Sequence, residues 1–187
     1  VLYNGKRWVG DSFLVSKESA GDCELRLEFM LPEGSESGVY LNGRYEVQLA
    51  DSYGKIGLSF SDLGGLYQMR GEDEDAAETV GLPPLLNAAA APGTWQTLEV
   101  KFRAPRFDDD RNKTEDALFV EVKINGQVVQ KNAAVAEATQ GAPFEGEARK
   151  GPVAIEGDRG PVAIRSFELR SADFESVETR RKAVDRS

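Results

Sequence analysis

The chain has 187 residues, with 23 Lys and Arg against 32 Asp and Glu, no His and one Cys, for a formal charge of −9. The absence of His excludes Ser-His-Asp and Cys-His catalysis and His-ligated zinc or haem, and a single Cys excludes internal disulfides and multi-Cys metal sites. The negative balance argues against a nucleic-acid partner, which needs a cationic surface, and no run approaches the roughly 18 apolar residues of a membrane span, so no membrane insertion is expected.

The length suits one domain, residues 1–187, with a core that needs no staples. Val1 to Asp11 lacks the apolar centre of a signal peptide, which is compatible with a leader removed ahead of this numbering. Cys23-Glu24-Leu25-Arg26-Leu27-Glu28-Phe29 alternates with period two, so one face of a strand takes Cys23 as a core residue with Leu25, Leu27 and Phe29. Asn42-Gly43 separates Val39-Tyr40-Leu41 from the alternating run Arg44 to Leu49 and predicts a hairpin, because both turn positions favour positive φ. Arg70 to Asn87 opens acidic and contains Pro83-Pro84, which predicts a long surface loop. Thr97–Arg103 and Ala117–Ile124 alternate again, and Asn125-Gly126 leads into Gln127-Val128-Val129 as a second hairpin. Asp108-Asp109-Asp110 with Asn112 lacks the spacing of a calcium loop and reads as a solvated turn. Two closing strands, Pro152–Ile155 and Pro161–Leu169, flank the turn 156–160. A short helix is expected in the tail, residues 172–187, with Asp173 as its N-cap and Phe174 and Val177 docking. About ten short strands with few helices predict an all-β antiparallel sandwich.

The face opposite the core carries Arg44, Glu46 and Gln48 on one strand, Lys101 and Arg103 on another, and Glu156 on a third. If those strands are neighbours, their polar faces pave one surface whose paired donors and acceptors suit sugar hydroxyls. Otherwise they form ordinary solvated sheet faces.

Six segments then fall in a recognisable order. They are Ser37-Gly38 through Arg44-Tyr45-Glu46-Val47-Gln48 to Asp51-Ser52-Tyr53-Gly54; Gly65-Leu66-Tyr67-Gln68; Asn87 with Pro92-Gly93-Thr94-Trp95-Gln96; Phe102-Arg103-Ala104-Pro105-Arg106-Phe107; Asn125-Gly126; and Gly151-Pro152 through Ile164-Arg165. Together they resemble the signature of the 3-keto-disaccharide hydrolase domain family over roughly residues 13–170, leaving 171–187 as a tail. The resemblance implies a concanavalin-like jelly roll with a sugar-facing concave side, in an exported bacterial protein, periplasmic or at the cell surface. Many members of that family carry Leu-Gln-Asp-His-Gly where this chain has Ile155-Glu156-Gly157-Asp158-Arg159.

The activity implied by the family's name is cleavage of a 3-keto-glycoside. The ketone acidifies the proton at carbon 2, a base removes it, and the aglycone leaves from carbon 1. This chemistry asks for a base of tuned pKa, a positive group over the enolate oxygen and an acid for the leaving group. Here the base must be Glu, Asp, Tyr or Lys. Glu46 is the first candidate, Arg103 and Arg106 are candidates for charge stabilisation, and Glu156 and Asp158 sit where the family's polar loop lies. Arg44, Gln48, Tyr67, Gln68 and Arg106 are candidates for holding substrate. A divalent cation on Glu46, Asp51 and Asp158 would be calcium or magnesium rather than zinc. A non-catalytic carbohydrate-binding module on the same fold is the other reading, motivated by the missing His.

Overall fold

The computed structural model describes residues 1–4, 12–70 and 78–175, and only the backbone of 68–70 and 78–80. Its strands, in chain order, begin with β1 (Leu2–Tyr3), β2 (Phe13–Ala20), β3 (Cys23–Met30), β4 (Glu36–Leu41) and β5 (Tyr45–Ala50). There follow β6 (Leu66–Arg70), β7 (Glu78–Leu82), β8 (Gln96–Arg103), β9 (Arg106–Phe107) and β10 (Lys113–Glu115). The last are β11 (Ala117–Ile124), β12 (Gln127–Val135), β13 (Gly151–Glu156) and β14 (Ala163–Ser171). No helix occurs among the described residues. Two six-stranded antiparallel sheets form, with orders β1-β14-β3-β8-β11-β12 and β2-β13-β4-β5-β6-β7. They face each other as a sandwich, as the alternation predicts, with the jelly-roll architecture that the family resemblance implies.

Cys23, Leu25, Leu27 and Phe29 of β3 and Leu98, Val100 and Phe102 of β8 point inward from the first sheet. Val39, Leu41, Tyr45, Val47 and Leu49 meet them from the second. The Tyr45 ring lies 5.4 Å from Phe102, which in turn lies 5.2 Å from Phe119. Burial pushes the Cys23 thiol up to about 12, consistent with an inert core residue.

Both Asn-Gly turns form, with φ of 57° and 65° at Asn42 and Gly43 and of 51° and 76° at Asn125 and Gly126. Their registers differ. Ile124 pairs with Gln127, a two-residue loop, whereas Leu41 pairs with Tyr45, so Arg44 belongs to the turn and not to the alternation of β5. The expected loop over 70–87 is also revised. Residues 78–82 form β7, paired with β6 by matches such as Tyr67 with Gly81. Gly81 has no room for a side chain, since a Cβ there would sit 2.4 Å from Phe60 Cβ, and Phe60 packs edge-on against Tyr67 at 5.0 Å. The loop between β5 and β6 is thus folded onto the outer face of the second sheet. In the tail, residues 172–175 are not helical, and Phe174 N–H donates to Asp22 at 2.8 Å. Val177 and the rest of the expected helix lie outside the described residues.

Candidate active site

β13, β4 and β5 lie side by side in the second sheet. Alternation sends Val153, Ile155, Val39, Tyr45 and Val47 to the core and leaves Glu156, Ala154, Gly38, Tyr40, Glu46 and Gln48 on the outer face. This face is not an ordinary solvated one: Tyr40 is 3 % exposed, Gln48 4 %, Glu46 6 % and Glu156 7 %. Every residue of β5 is buried, so the strand is enclosed on both sides.

The register brings the acidic groups together. Tyr40 pairs with Glu46 on one side and with Ala154 on the other, and Gly38 pairs with Gln48. Continuing the β13–β4 register one step past Ile155–Val39 sets Glu156 beside Gly38. The side chain of Glu46 leans over Gly38 toward Glu156. Glu36, at the start of β4, points to the same face, and Asp158 follows Glu156 in the turn. Arg159, largely exposed, reaches back from that turn, with its Nε 3.5 Å from Glu156 Oε1.

Two buried carboxyls side by side, with Glu36 and Asp158 close by and one guanidinium facing them, cannot both stay ionised at neutral pH. Burial, and then the charge of Glu156, push Glu46 from the ordinary glutamate value of 4.5 up to about 8. Burial, and then the charge of Asp158, push Glu156 up to about 7, with Arg159 pulling the other way. The Tyr40 hydroxyl is raised well above the ordinary tyrosine value by burial and by Glu46 and Glu156. Asp158 Oδ1 is buried without a hydrogen-bond partner among the described residues. A pair of neighbouring carboxyls titrating near 7 and 8 holds about one proton around neutral pH, which supplies an acid and a base in one place.

The sequence candidates therefore divide. Glu46, Glu156, Asp158, Gln48 and Tyr67 share the outer face of the second sheet or its rim. The backbone of Gln68 lies on β6, and its side chain is outside the described residues. The three arginines are elsewhere. Arg44 is pinned by its donors to the carbonyls of Asn42, Glu145 and Gly146 and stacks over Phe144 at 5.6 Å, so it anchors the 144–147 loop. Arg103 lies in the first sheet on the face opposite Phe102, paired to Glu115 and donating to the Asp116 carbonyl. Arg106 grips Asp22 with two bonds of 2.7 Å and donates to the Phe174 carbonyl, a clasp between the β2–β3 turn and the tail. The sandwich core separates Arg103 from Glu46.

The anticipated metal donors do not converge either. Asp51 is five residues along the chain from Glu46, about 16 Å if extended, and its carboxylate accepts from Gly34 N–H and Tyr53 N–H. Among the described residues no three Asp, Glu or Cys side chains are placed to hold a metal ion. Sequence reasoning missed Tyr40, Glu36 and Arg159. Tyr40 and Glu36 share the phase of Gly38 in β4, a signal that was present, but Arg159 becomes visible only once the turn folds back.

The profile of the 3-keto-alpha-glucoside-1,2-lyase-like domain matches residues 3–170. Among solved structures, a putative glycosyl hydrolase from Parabacteroides distasonis superposes with a TM-score of 0.67 at 23% identity, covering 86% of this chain and 68% of the other. A second putative glycosyl hydrolase from the same organism gives 0.58 at 18% identity, covering 88% and 85%. The carbohydrate-binding module CBM66 from Bacillus subtilis gives 0.50 at 8% identity, covering 91% and 94%. At these identities the likenesses establish the fold. The search of curated proteins gave no match.

Proposed function

The chain belongs to the 3-keto-alpha-glucoside-1,2-lyase-like domain family, and on that premise we propose that it eliminates the aglycone from a 3-keto-glycoside, with Glu46 and Glu156 as the acid–base pair. The observation that carries this reading is the pair itself: two buried carboxyls on one face of the second sheet, raised to about 8 and about 7.

The ketone at carbon 3 lets the carbon 2 proton leave as the enolate forms. The reactive form is the less populated arrangement of the shared proton, with Glu46 ionised and Glu156 protonated, and in it Glu46 takes the carbon 2 proton. The electron pair moves into the C2–C3 bond and onto the ketone oxygen, then returns to form the C1–C2 double bond as the C1–O bond breaks. Protonated Glu156 gives its proton to the departing oxygen. The proton gained by Glu46 leaves the pair in its favoured arrangement, its transfer to Glu156 against a difference of about one pH unit regenerates the reactive form, and water adds to the product afterwards. A base near 8 is stronger than an ordinary glutamate, which suits a weakly acidic C–H. Arg159 is the cation that faces this group of carboxyls and is assigned to the enolate oxygen in place of Arg103 and Arg106. Gln48, on the same face of β5 as Glu46, and Tyr67 on β6 offer contacts for ring hydroxyls.

The test is release of the aglycone from a 3-keto-α-glucoside by the purified chain, by Glu46→Gln and by Glu156→Gln. Turnover by the native chain with a loss of 10²–10⁴-fold in each variant is expected. Full activity in both variants refutes the assignment. Binding of sugar with no release by the native chain favours the carbohydrate-binding module instead.

A further inference from the structure

We infer that Gly38 and Tyr40 are positioning residues for Glu46: the missing side chain at Gly38 forms a notch that receives the carboxyl group, and the Tyr40 hydroxyl holds it there. The consequence for rate rests on the role of Glu46 proposed above; the geometry does not.

A Cβ built on Gly38 would lie 2.3 Å from Glu46 Oε1, 3.1 Å from the Glu46 carboxyl carbon and 3.0 Å from Tyr40 Cε2. The first of these is below any real contact and the other two are tight, so a side chain at 38 must displace the carboxyl. Backbone conformation does not explain the glycine, because Gly38 is extended strand and is not among the positive-φ residues. Glycine weakens a strand interior, and its presence in the middle of β4 fits a close approach by another group.

Tyr40 is the direct cross-strand partner of Glu46. Its ring has little freedom: Phe13 packs edge-on against it at 5.5 Å, and Ala154 is its neighbour on β13. The main chain at Glu46 is held as well, its N–H donating to Thr139 Oγ1 at 3.1 Å. The groups that bear on the Glu46 carboxyl are Tyr40 and Glu36 from β4, Glu156 from β13, Arg159 from the following turn and Tyr67 from β6. Of these, the Tyr40 hydroxyl favours the ionised form against the burial that opposes it, and Arg159 acts in the same direction. Tyr40 thus sets both the direction in which the carboxyl points and how readily it accepts a proton.

The experiment follows the side-chain carbonyl of Glu46 by carbon NMR of the glutamate-labelled chain, without substrate, with Glu46→Gln to assign the signal. Tyr40→Phe keeps the ring that packs on Phe13 and is expected to raise the Glu46 midpoint by about one pH unit, the size of a lost hydrogen bond to a charged group. Gly38→Ala is expected to lower it, as the carboxyl is driven from the notch toward water. In the native chain, which needs no substitution to fold, the Tyr40 ring carbon bearing oxygen is expected to titrate with the Glu46 midpoint. On a 3-keto-glucoside, Tyr40→Phe is expected to lose at least about tenfold in kcat with little change in KM, and to move the pH profile in step with the NMR midpoint. An unchanged Glu46 midpoint in Tyr40→Phe, or a Tyr40 signal indifferent to Glu46 in the native chain, overturns the positioning role even if the native chain turns substrate over. Shifted midpoints in a chain that releases no aglycone uphold the positioning role and overturn the lyase reading.

Discussion

Replacing Glu46 by Gln should stabilise this protein in alkali while removing its activity. Native Glu46 holds its proton up to about 8, whereas in the unfolded chain it releases it near 4.5. Between those values the native state binds more protons than the unfolded state, so stability falls as pH rises. The stabilising share is fully present below 4.5 and lost once pH passes about 8. A displacement of that size corresponds to about 5 kcal/mol at most, a large fraction of a domain's typical ~5–15 kcal/mol. Gln has the shape of the protonated carboxyl and does not ionise, so its stability should not fall through this window. Urea unfolding followed by intrinsic fluorescence, at pH 5 and pH 9, gives the comparison, with exposed Glu24→Gln as the control. The variant should gain up to about 4 kcal/mol on the native chain between the two pH values. A variant whose stability parallels the native chain at both pH values would show that Glu46 carries no desolvation cost, and the assignment of a tuned base would fall with it.

Replacing Glu156 by Gln removes the negative charge that raises Glu46, so the Glu46 titration should move down, read by the same carbon NMR measurement. Asp22→Asn should cost about 3–5 kcal/mol in urea unfolding at pH 7 by leaving Arg106 without its charge partner, while kcat of the folded fraction stays at the native value because the clasp is remote from Glu46. The Asp22 carboxyl is held below its ordinary value despite burial, chiefly by its hydrogen bonds from Arg106, Phe174 and Ala104. Its contribution to stability should therefore be present above pH 3.8 and lost as acid protonates it, a loss that an acid titration of the Asn variant should not show. Finally, Glu36, Glu46, Glu156 and Asp158 face one arginine, so a 3-keto-glucuronide should compete for the site at least tenfold more weakly than the neutral 3-keto-glucoside, and Glu36→Gln should narrow that gap; equal inhibition constants would refute the charge argument.

Local chemistry made much of the fold legible. The β3 alternation Cys23-Leu25-Leu27-Phe29 named a buried face, and the two Asn-Gly pairs named two turns, because strand period and left-handed turn residues are properties of a few neighbouring residues. Glu46, Gln48 and Glu156 were legible as groups facing away from the core for the same reason. The 70–87 segment was not, since β7 has few signals of its own and is a strand by pairing with β6. Register was only half legible: Asn42-Gly43 signals a turn, but a two-residue loop would set Val39 opposite Glu46, and the observed three-residue loop sets Tyr40 there.

The sequence by itself determined an acidic β-sandwich, its core faces, its missing histidine chemistry and the carboxylates available in its place. Only the tertiary structure decided which of two outward faces each polar strand joined. Alternation says that Arg103 and Glu46 both point away from the core, and it cannot say that they do so on opposite sheets. The pKa of Glu46 depends likewise on Glu156, distant in sequence and brought near by β13 pairing beside β4, and on burial of the whole face. Alternation is a one-strand property, whereas sheet membership and desolvation arise from contacts between residues about a hundred positions apart.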